Sequence, residues 1–85
     1  MDFEEFKIKL DSTTSWPSLY MFKFIVPVSN VSKVKDLFLP NHKVTSKKSK
    51  NGKFVSLTTK IMAGSSLQVV DIYKAATKIE GLIAL

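Results

Sequence analysis

The chain of 85 residues contains no cysteine and no arginine, and each absence removes a class of function. Without cysteine there is no disulfide, no thiolate nucleophile and none of the usual zinc sites. Without arginine, all thirteen basic residues are lysines, which attract anions but lack the planar fork that recognises phosphate or guanine. The single histidine, His42, has no acid nearby in the sequence with which to form a dyad. We therefore expect no catalytic residue, no metal, no cofactor and no enzymatic activity.

Long apolar runs are also missing, and none of those present could span a membrane. The first residues read Met-Asp-Phe-Glu-Glu, the reverse of the basic start of a signal peptide. With 45% hydrophobic and 24% charged residues, the composition is that of a globular chain. The sequence thus predicts a folded, cytoplasmic protein that does not contact the membrane.

The net charge of +6 is concentrated in the second part of the chain. Residues 1–19 carry four acids and two lysines, whereas residues 20–85 carry eleven lysines and three acids, so the two parts have net charges of −2 and +8. A chain of this length has room for one core. We therefore predict an N-terminal arm over residues 1–15 and a single domain over residues 16–85.

Hydrophobic periodicity predicts alternating strands and helices after an amphipathic arm that carries Phe3, Phe6 and Leu10 on one side. The predicted elements are a strand at 19–26, a helix at 31–38, hairpin strands at 42–48 and 54–62, a helix at 67–79 and a strand at 82–85. The order βαββαβ predicts an α+β, ferredoxin-like sandwich, in which two helices cover one face of a four-stranded antiparallel sheet. The other face of the sheet stays open.

The central hairpin is predicted to turn on Asn51-Gly52, because this dipeptide supplies the two positive-φ residues of a type I′ turn. A two-residue loop places Lys43 opposite Lys60 and puts both on the open face. A loop longer by one residue would move them to the other face. The register therefore decides which lysines share a surface.

In the two-residue register, Lys43, Lys47 and Lys60 share the open face with Lys23 of the first strand. Like charges directly opposite each other on a sheet are destabilising, so Lys43 opposite Lys60 calls for an explanation. One explanation is an anion, a phosphate or an acidic partner that lies across the face. The other is that lysines on an edge hairpin stay solvated and discourage aggregation.

Apolar side chains are predicted on the same open face. They are Met21, Ile25, Phe54, Met62, Leu82 and Ala84. Soluble monomers seldom expose an apolar patch of several hundred square ångströms. We therefore expect the face to be covered by a second copy in a homodimer or by another protein, with the N-terminal arm as the rival cover.

Nucleic-acid binding is the alternative function, since RNA-recognition modules share this topology and stack bases on two aromatic residues of the third strand. Phe54 aligns with one of these positions, but Gly52 falls where the second aromatic should be. The sequence therefore argues against specific RNA recognition. It allows weak binding through the six hairpin lysines, which are Lys43, Lys47, Lys48, Lys50, Lys53 and Lys60.

From Trp16 to Leu85 the chain resembles the YbeD-like family, a group of small bacterial proteins of unknown function. The resemblance is carried by Trp16-Pro17 with YMFKF at 20–24, by SKNGKFVSLT at 49–58 and by KIEG at 78–81. Family members are similar in fold to ACT-like regulatory domains, so the resemblance implies a ferredoxin-like topology and a ligand-sensing or regulatory role. ACT domains usually bind amino acids in a glycine-containing loop after the first strand. The corresponding loop here, Pro27–Asn30, has no glycine, which argues against that mode.

Together these observations predict a small regulatory or binding module that acts on a protein or a small anionic ligand, with dimerisation as its expected state. The candidate binding residues are Lys23, Lys43, Lys47, Lys60 and Phe54.

Overall fold

A computed structural model describes residues 2–40 and 42–85. The elements in this part of the chain are α1 (Phe3–Thr13), β1 (Ser18–Pro27), α2 (Val31–Lys35), β2 (Val44–Lys48), β3 (Phe54–Ala63), α3 (Ser66–Ala76) and β4 (Ile83–Ala84). A short 3₁₀ turn over Val28–Asn30 leads into α2. None of the described helices has the length and apolar character needed to cross a membrane.

The four strands form one antiparallel sheet in the order β2-β3-β1-β4. β1 and β3 are the central strands and pair along all ten residues of each. β4 is much shorter and pairs with β1 only at Phe24 and Ile25. The helices pack on one face of this sheet, and the predicted α+β, ferredoxin-like fold is confirmed.

The core lies between the sheet and the helices, because both central strands alternate buried and exposed residues. The buried side chains of the two strands include Phe22, Phe24, Val26, Val55, Leu57 and Ile61. They pack in one cluster with Val34 of α2 and with Val69 and Tyr73 of α3. Tyr20 is partly buried on the same side, so the face of β1 that the sequence predicts to be in the core is confirmed.

The N-terminal arm is a helix that packs against α3 rather than over the open face of the sheet. The ring of Phe6 lies 5.4 Å from the ring of Tyr73 in an edge-to-face contact. The Lys74 ammonium lies 5.7 Å from the centre of the Phe3 ring, and Leu10 is buried in the core. The expectation that the arm could cover the open face is therefore wrong, because its apolar side packs against α3 and the core.

The helices are shorter than the sequence predicts, since each ends in tighter turns. After Lys35, the amide of Leu37 bonds to the carbonyl of Val34, three residues back. Pro40 prevents the helix from continuing. The α3 helix is capped as expected by Ser65, whose side chain accepts a hydrogen bond from the amide of Gln68. It ends at Ala76, and the turns that follow lead to Gly81, which has φ of 78°.

The hairpin has the predicted register but not the predicted turn. Only glycines have positive φ in the described residues, so Asn51 does not adopt the type I′ conformation, and that prediction is wrong. Instead the amide of Gly52 donates to the carbonyl of Ser49 (3.0 Å), and the side-chain oxygen of Asn51 accepts from the amide of Lys53 (3.1 Å). The loop therefore has four residues, 50–53. This loop is two residues longer than the predicted one, with one extra residue taken from each strand. The pairing of β2 with β3 therefore stays as predicted.

Candidate functional site

The candidate site is the open face of the sheet, which lies on the side away from the helices. Pairing of β2 with β3 places Lys47 opposite Ser56. Pairing of β1 with β3 places Lys23 opposite Thr58 and Met21 opposite Lys60. The side chains of Lys23, Lys43, Lys47 and Lys60 are all exposed, and the structure brings them together on this face as the register predicts.

Lys43 lies one residue before β2, and a buried side chain holds its backbone in line with the strand. The Thr59 hydroxyl donates to the carbonyl of Lys43 at 2.8 Å. Thr59 is 3% exposed on the core side, so this bond forms on the opposite face from the lysine side chains. Extending the β2–β3 register by one residue places Lys43 opposite Lys60. The structure therefore fixes a like-charge pair that opposes folding.

Apolar side chains occupy the part of the open face formed by β1, β4 and the two ends of β3. The exposed members are Leu19, Met21, Phe54, Met62, Ile83 and Leu85. The expectation for Leu82 and Ala84 is wrong: Leu82 packs against the core, and Ala84 pairs with core-facing Phe24. Ile83 pairs with Ile25, so the alternation of β4 is shifted by one residue from the predicted one. Leu19 was missed although it extends the alternation of Met21 by two positions.

The open face carries lysines on the side of β2 and apolar residues on the side of β4, and it carries no acid among the described residues. The seven acids lie elsewhere. Asp2, Glu4, Glu5 and Asp11 belong to α1 and its cap, Asp36 follows α2, Asp71 lies on α3, and Glu80 precedes β4. The protein is therefore electrostatically asymmetric, with a purely basic charge on its open face.

Two depressions mark the lysine side of the face. One, of about 280 Å³, is lined by Lys43, Lys60, Thr45, Thr58 and Thr59. The other, of about 230 Å³, is lined by Ile25, Lys47, Lys48, Ser49, Phe54 and Ser56. The first combines ammonium groups with hydroxyl groups, which suits carboxylate or other oxyanion groups. The second presents mostly apolar atoms.

Aromatic residues contribute little to this face. Phe54 is 41% exposed, and in the described residues it is the sole aromatic whose side chain lies there. Phe22 and Phe24 are fully buried on the other side. The described face thus offers one stacking platform for a base, whereas sequence-specific RNA recognition modules stack two or three. The remaining hairpin lysines, Lys48, Lys50 and Lys53, are exposed at or next to the tip of the hairpin.

A groove of about 560 Å³ on the helical side was not foreseen from the sequence. It lies between α3 and the segment that joins α2 to β2, and His42 and Asp71 both line it. The Nδ1 atom of His42 accepts a hydrogen bond from the amide of Leu39 at 3.3 Å, and its ring lies 6.4 Å from that of Phe38. These contacts give His42 a role in the local structure. The described residues contain no group of three or more side chains suited to hold a metal ion.

Among the described residues, Tyr73 and Asp11 have shifted pKa values, and both lie on the helical side. Burial raises the pKa of the Tyr73 hydroxyl far above its ordinary value, and a 3.2 Å hydrogen bond with the Tyr20 hydroxyl adds to this. Hydrogen bonds from Ser66 and then from Lys7 hold the pKa of Asp11 below its ordinary value. Both groups join α1 or α3 to the rest of the fold, so their shifts reflect packing.

The loop after β1, where ACT domains bind amino acids, is closed by the turn before β4. The Asn30 side-chain amide donates to the carbonyl of Glu80 at 2.8 Å. Gly81 lies so close to the ring of Pro27 that a Cβ atom there would be 2.7 Å from Cγ of that ring. The loop therefore has a structural function, since it joins the end of β1 to the start of β4.

Comparison with known proteins agrees with the resemblance that the sequence motifs indicate. Searches of curated proteins and of solved structures gave no match. The family described as Protein of unknown function (DUF493), which is the YbeD-like family, matches residues 11–85. This match covers α2, α3, the whole sheet and the end of α1. The chain belongs to the DUF493, or YbeD-like, family.

Proposed function

We propose that this protein is a non-enzymatic binding module whose open face binds an acidic segment of a partner protein. The observation that carries the proposal is the open face itself, with four lysines, an exposed apolar patch and no acid among the described residues. A partner with carboxylates on one side and apolar residues on the other would neutralise the opposed Lys43 and Lys60 and cover the apolar patch.

The apolar patch favours a protein over a small anion as the partner. An isolated anion could sit in the depression beside Lys43 and Lys60, but it would leave Leu19, Met21 and Met62 exposed. A second copy placed face to face would cover these residues but would bring eight lysines, and no acid of the described open face, into one interface. The charge of the face thus favours a partner of opposite sign. Dimerisation, a regulatory role and a cytoplasmic location remain predictions of the sequence.

A titration followed by amide resonances tests this proposal against the nucleic-acid alternative. The probes are a peptide of alternating valine and glutamate, VEVEVEV, the matched peptide VKVKVKV, and a single-stranded RNA oligomer, each at two salt concentrations. We expect VEVEVEV to shift resonances of Lys23 and Lys60, and VKVKVKV to shift none. Salt-sensitive shifts by RNA along the hairpin tip, with no response to VEVEVEV, would overturn the proposal in favour of nucleic-acid binding.

A further inference from the structure

The sheet has an unpaired stretch on the β4 side of β1. β1 has ten residues, but β4 pairs only with Phe24 and Ile25, and Leu85 adds one hydrogen bond from its amide to the carbonyl of Lys23. Beyond this point no described strand lies beside residues 18–22 on that side. The described α1 helix packs against α3. β1 is therefore a central strand at one end and an edge strand at the other.

Two hydrogen bonds show which backbone groups of this stretch point outwards. The amide of Val28 donates to Lys53 across the β1–β3 register, so every second residue back along β1 is bonded to β3. The carbonyl of Lys23 is bonded to Leu85 on the β4 side, which fixes the opposite set. By this alternation the amides and carbonyls of Leu19 and Met21 point away from β3, into the space beyond β4. These residues are 58% and 51% exposed.

The two edges of the sheet differ in charge. The outer edge of β2 is bordered by Lys43, Lys47 and Lys48, and lysines on an edge discourage pairing with another strand. The stretch of β1, with the sequence SLYMF over residues 18–22, has no charged residue. Natural sheets usually guard a long unpaired edge, so an unguarded stretch next to a guarded one indicates an edge that pairs with a partner.

A second copy does not fit this stretch as well as a separate segment does. Two β1 strands that pair antiparallel about Tyr20 would place Pro17 of the second copy opposite Lys23. That position is already taken by Leu85. An isolated extended segment of about five residues has no such conflict, because its flanking chain can leave the sheet.

We propose that the acidic partner segment docks as an added β-strand along residues 18–22 of β1, with its backbone bonded to Leu19 and Met21. The inference rests on the proposed function for the sign of the partner's charge. Side chains opposite Leu19 and Met21 would lie on the open face, where Lys23 and Lys60 are neighbours in the register. Backbone hydrogen bonds would supply affinity, and carboxylates on these side chains would supply specificity.

Hydrogen exchange of individual amides tests the docking mode with the VEVEVEV peptide as the probe. In the free protein, the amides of Leu19 and Met21 should exchange fast, whereas those of Tyr20 and Phe22, bonded to β3, should be protected. Saturating peptide should slow exchange at Leu19 and Met21 at least tenfold. Protection of both amides in the free protein, or no change on saturation, would overturn the inference.

Two N-methylated peptides serve as matched controls, one methylated on the valine nitrogens and one on the glutamate nitrogens. An added strand bonds to β1 through only one of these sets. One methylated peptide should therefore lose binding and the other should keep it. If both bind as well as VEVEVEV, and binding still depends on the open-face lysines, the docking mode is wrong while the proposed function stands. If VEVEVEV does not bind, the proposed function fails.

A variant places a like charge on the edge. Met21→Glu adds a carboxylate opposite a glutamate of the docked strand, whereas Met62→Glu adds the same charge to the open face on β3, whose backbone is already paired with β1 at this position. Like charges directly opposite each other on a sheet repel. Met21→Glu should therefore weaken VEVEVEV binding at least fivefold more than Met62→Glu does. Equal affinities would contradict docking at the β1 edge.

Discussion

The contact between Gly81 and Pro27 allows a quantitative prediction about the junction that holds β4 beside β1. Gly81 has φ of 78°, and a Cβ atom there would lie 2.7 Å from Cγ and 2.9 Å from Cδ of Pro27. A left-handed backbone costs a non-glycine residue about 1–2 kcal/mol. Forcing a methyl group into an occupied position costs about 1–3 kcal/mol more. We therefore expect Gly81→Ala to lower the free energy of unfolding by about 2–5 kcal/mol.

Gly52→Ala is the matched control, because Gly52 has φ of 72° but a Cβ atom there would meet nothing within 4 Å beyond its chain neighbours. It should lower the free energy of unfolding by the backbone cost alone, about 1–2 kcal/mol. The difference between the two variants measures the contact with Pro27. Urea unfolding of both variants, with Pro27→Ala and the double variant Pro27→Ala/Gly81→Ala, completes a double-mutant cycle. If Gly81→Ala is no more destabilising than Gly52→Ala, the reasoning is refuted.

Two further predictions concern single hydrogen-bonded groups. Hydrogen bonds lower the pKa of Asp11, so its contribution to stability is present above the unfolded pKa of about 4 and is lost as the pH falls through the lower folded pKa. Asp11→Asn should therefore flatten the acid limb of a plot of melting temperature against pH between about 2 and 5, and an unchanged limb would count against this assignment. Thr59→Val removes the 2.8 Å bond to the Lys43 carbonyl and should lower the free energy of unfolding by about 1–3 kcal/mol, measured in urea. It should also shift the amide resonance of Lys43, because the Lys43 backbone loses this bond. An unchanged Lys43 resonance would show that the bond does not fix the Lys43 backbone.

The fold could be predicted from the sequence because its signals are local. Alternation in β1 and β3 placed Phe22, Phe24 and Leu57 in the core, and the hairpin register followed from the position of Asn51-Gly52. The turn type could not be predicted, because Asn51 bonds its side chain to neighbouring groups instead of adopting positive φ. That choice depends on Ser49, whose hydroxyl donates to the Asn51 side chain.

The candidate site was predictable in its lysines but not in its limits. The four lysines follow from register alone, whereas the packing of α1 depends on a distant contact between Phe6 and Tyr73. Which side chains of β4 face the core depends on the contact between Gly81 and Pro27, two residues that are far apart in the sequence. No periodicity in a run as short as Leu82–Leu85 can fix which side chains face the core. The unpaired stretch of β1 follows from the two-residue length of β4, which the sequence pattern does not indicate.

The most direct test of the central claim is the affinity of VEVEVEV for two charge-reversed variants. One variant combines Lys23→Glu and Lys60→Glu on the open face, and the other combines Lys50→Glu and Lys53→Glu at the hairpin tip, so both have the same net charge. We predict that the first variant binds at least tenfold more weakly than the unmodified protein, a loss of about 1.4 kcal/mol. The second should lose less than threefold. Equal losses in the two variants would show that only net charge matters and would contradict a binding site on the open face.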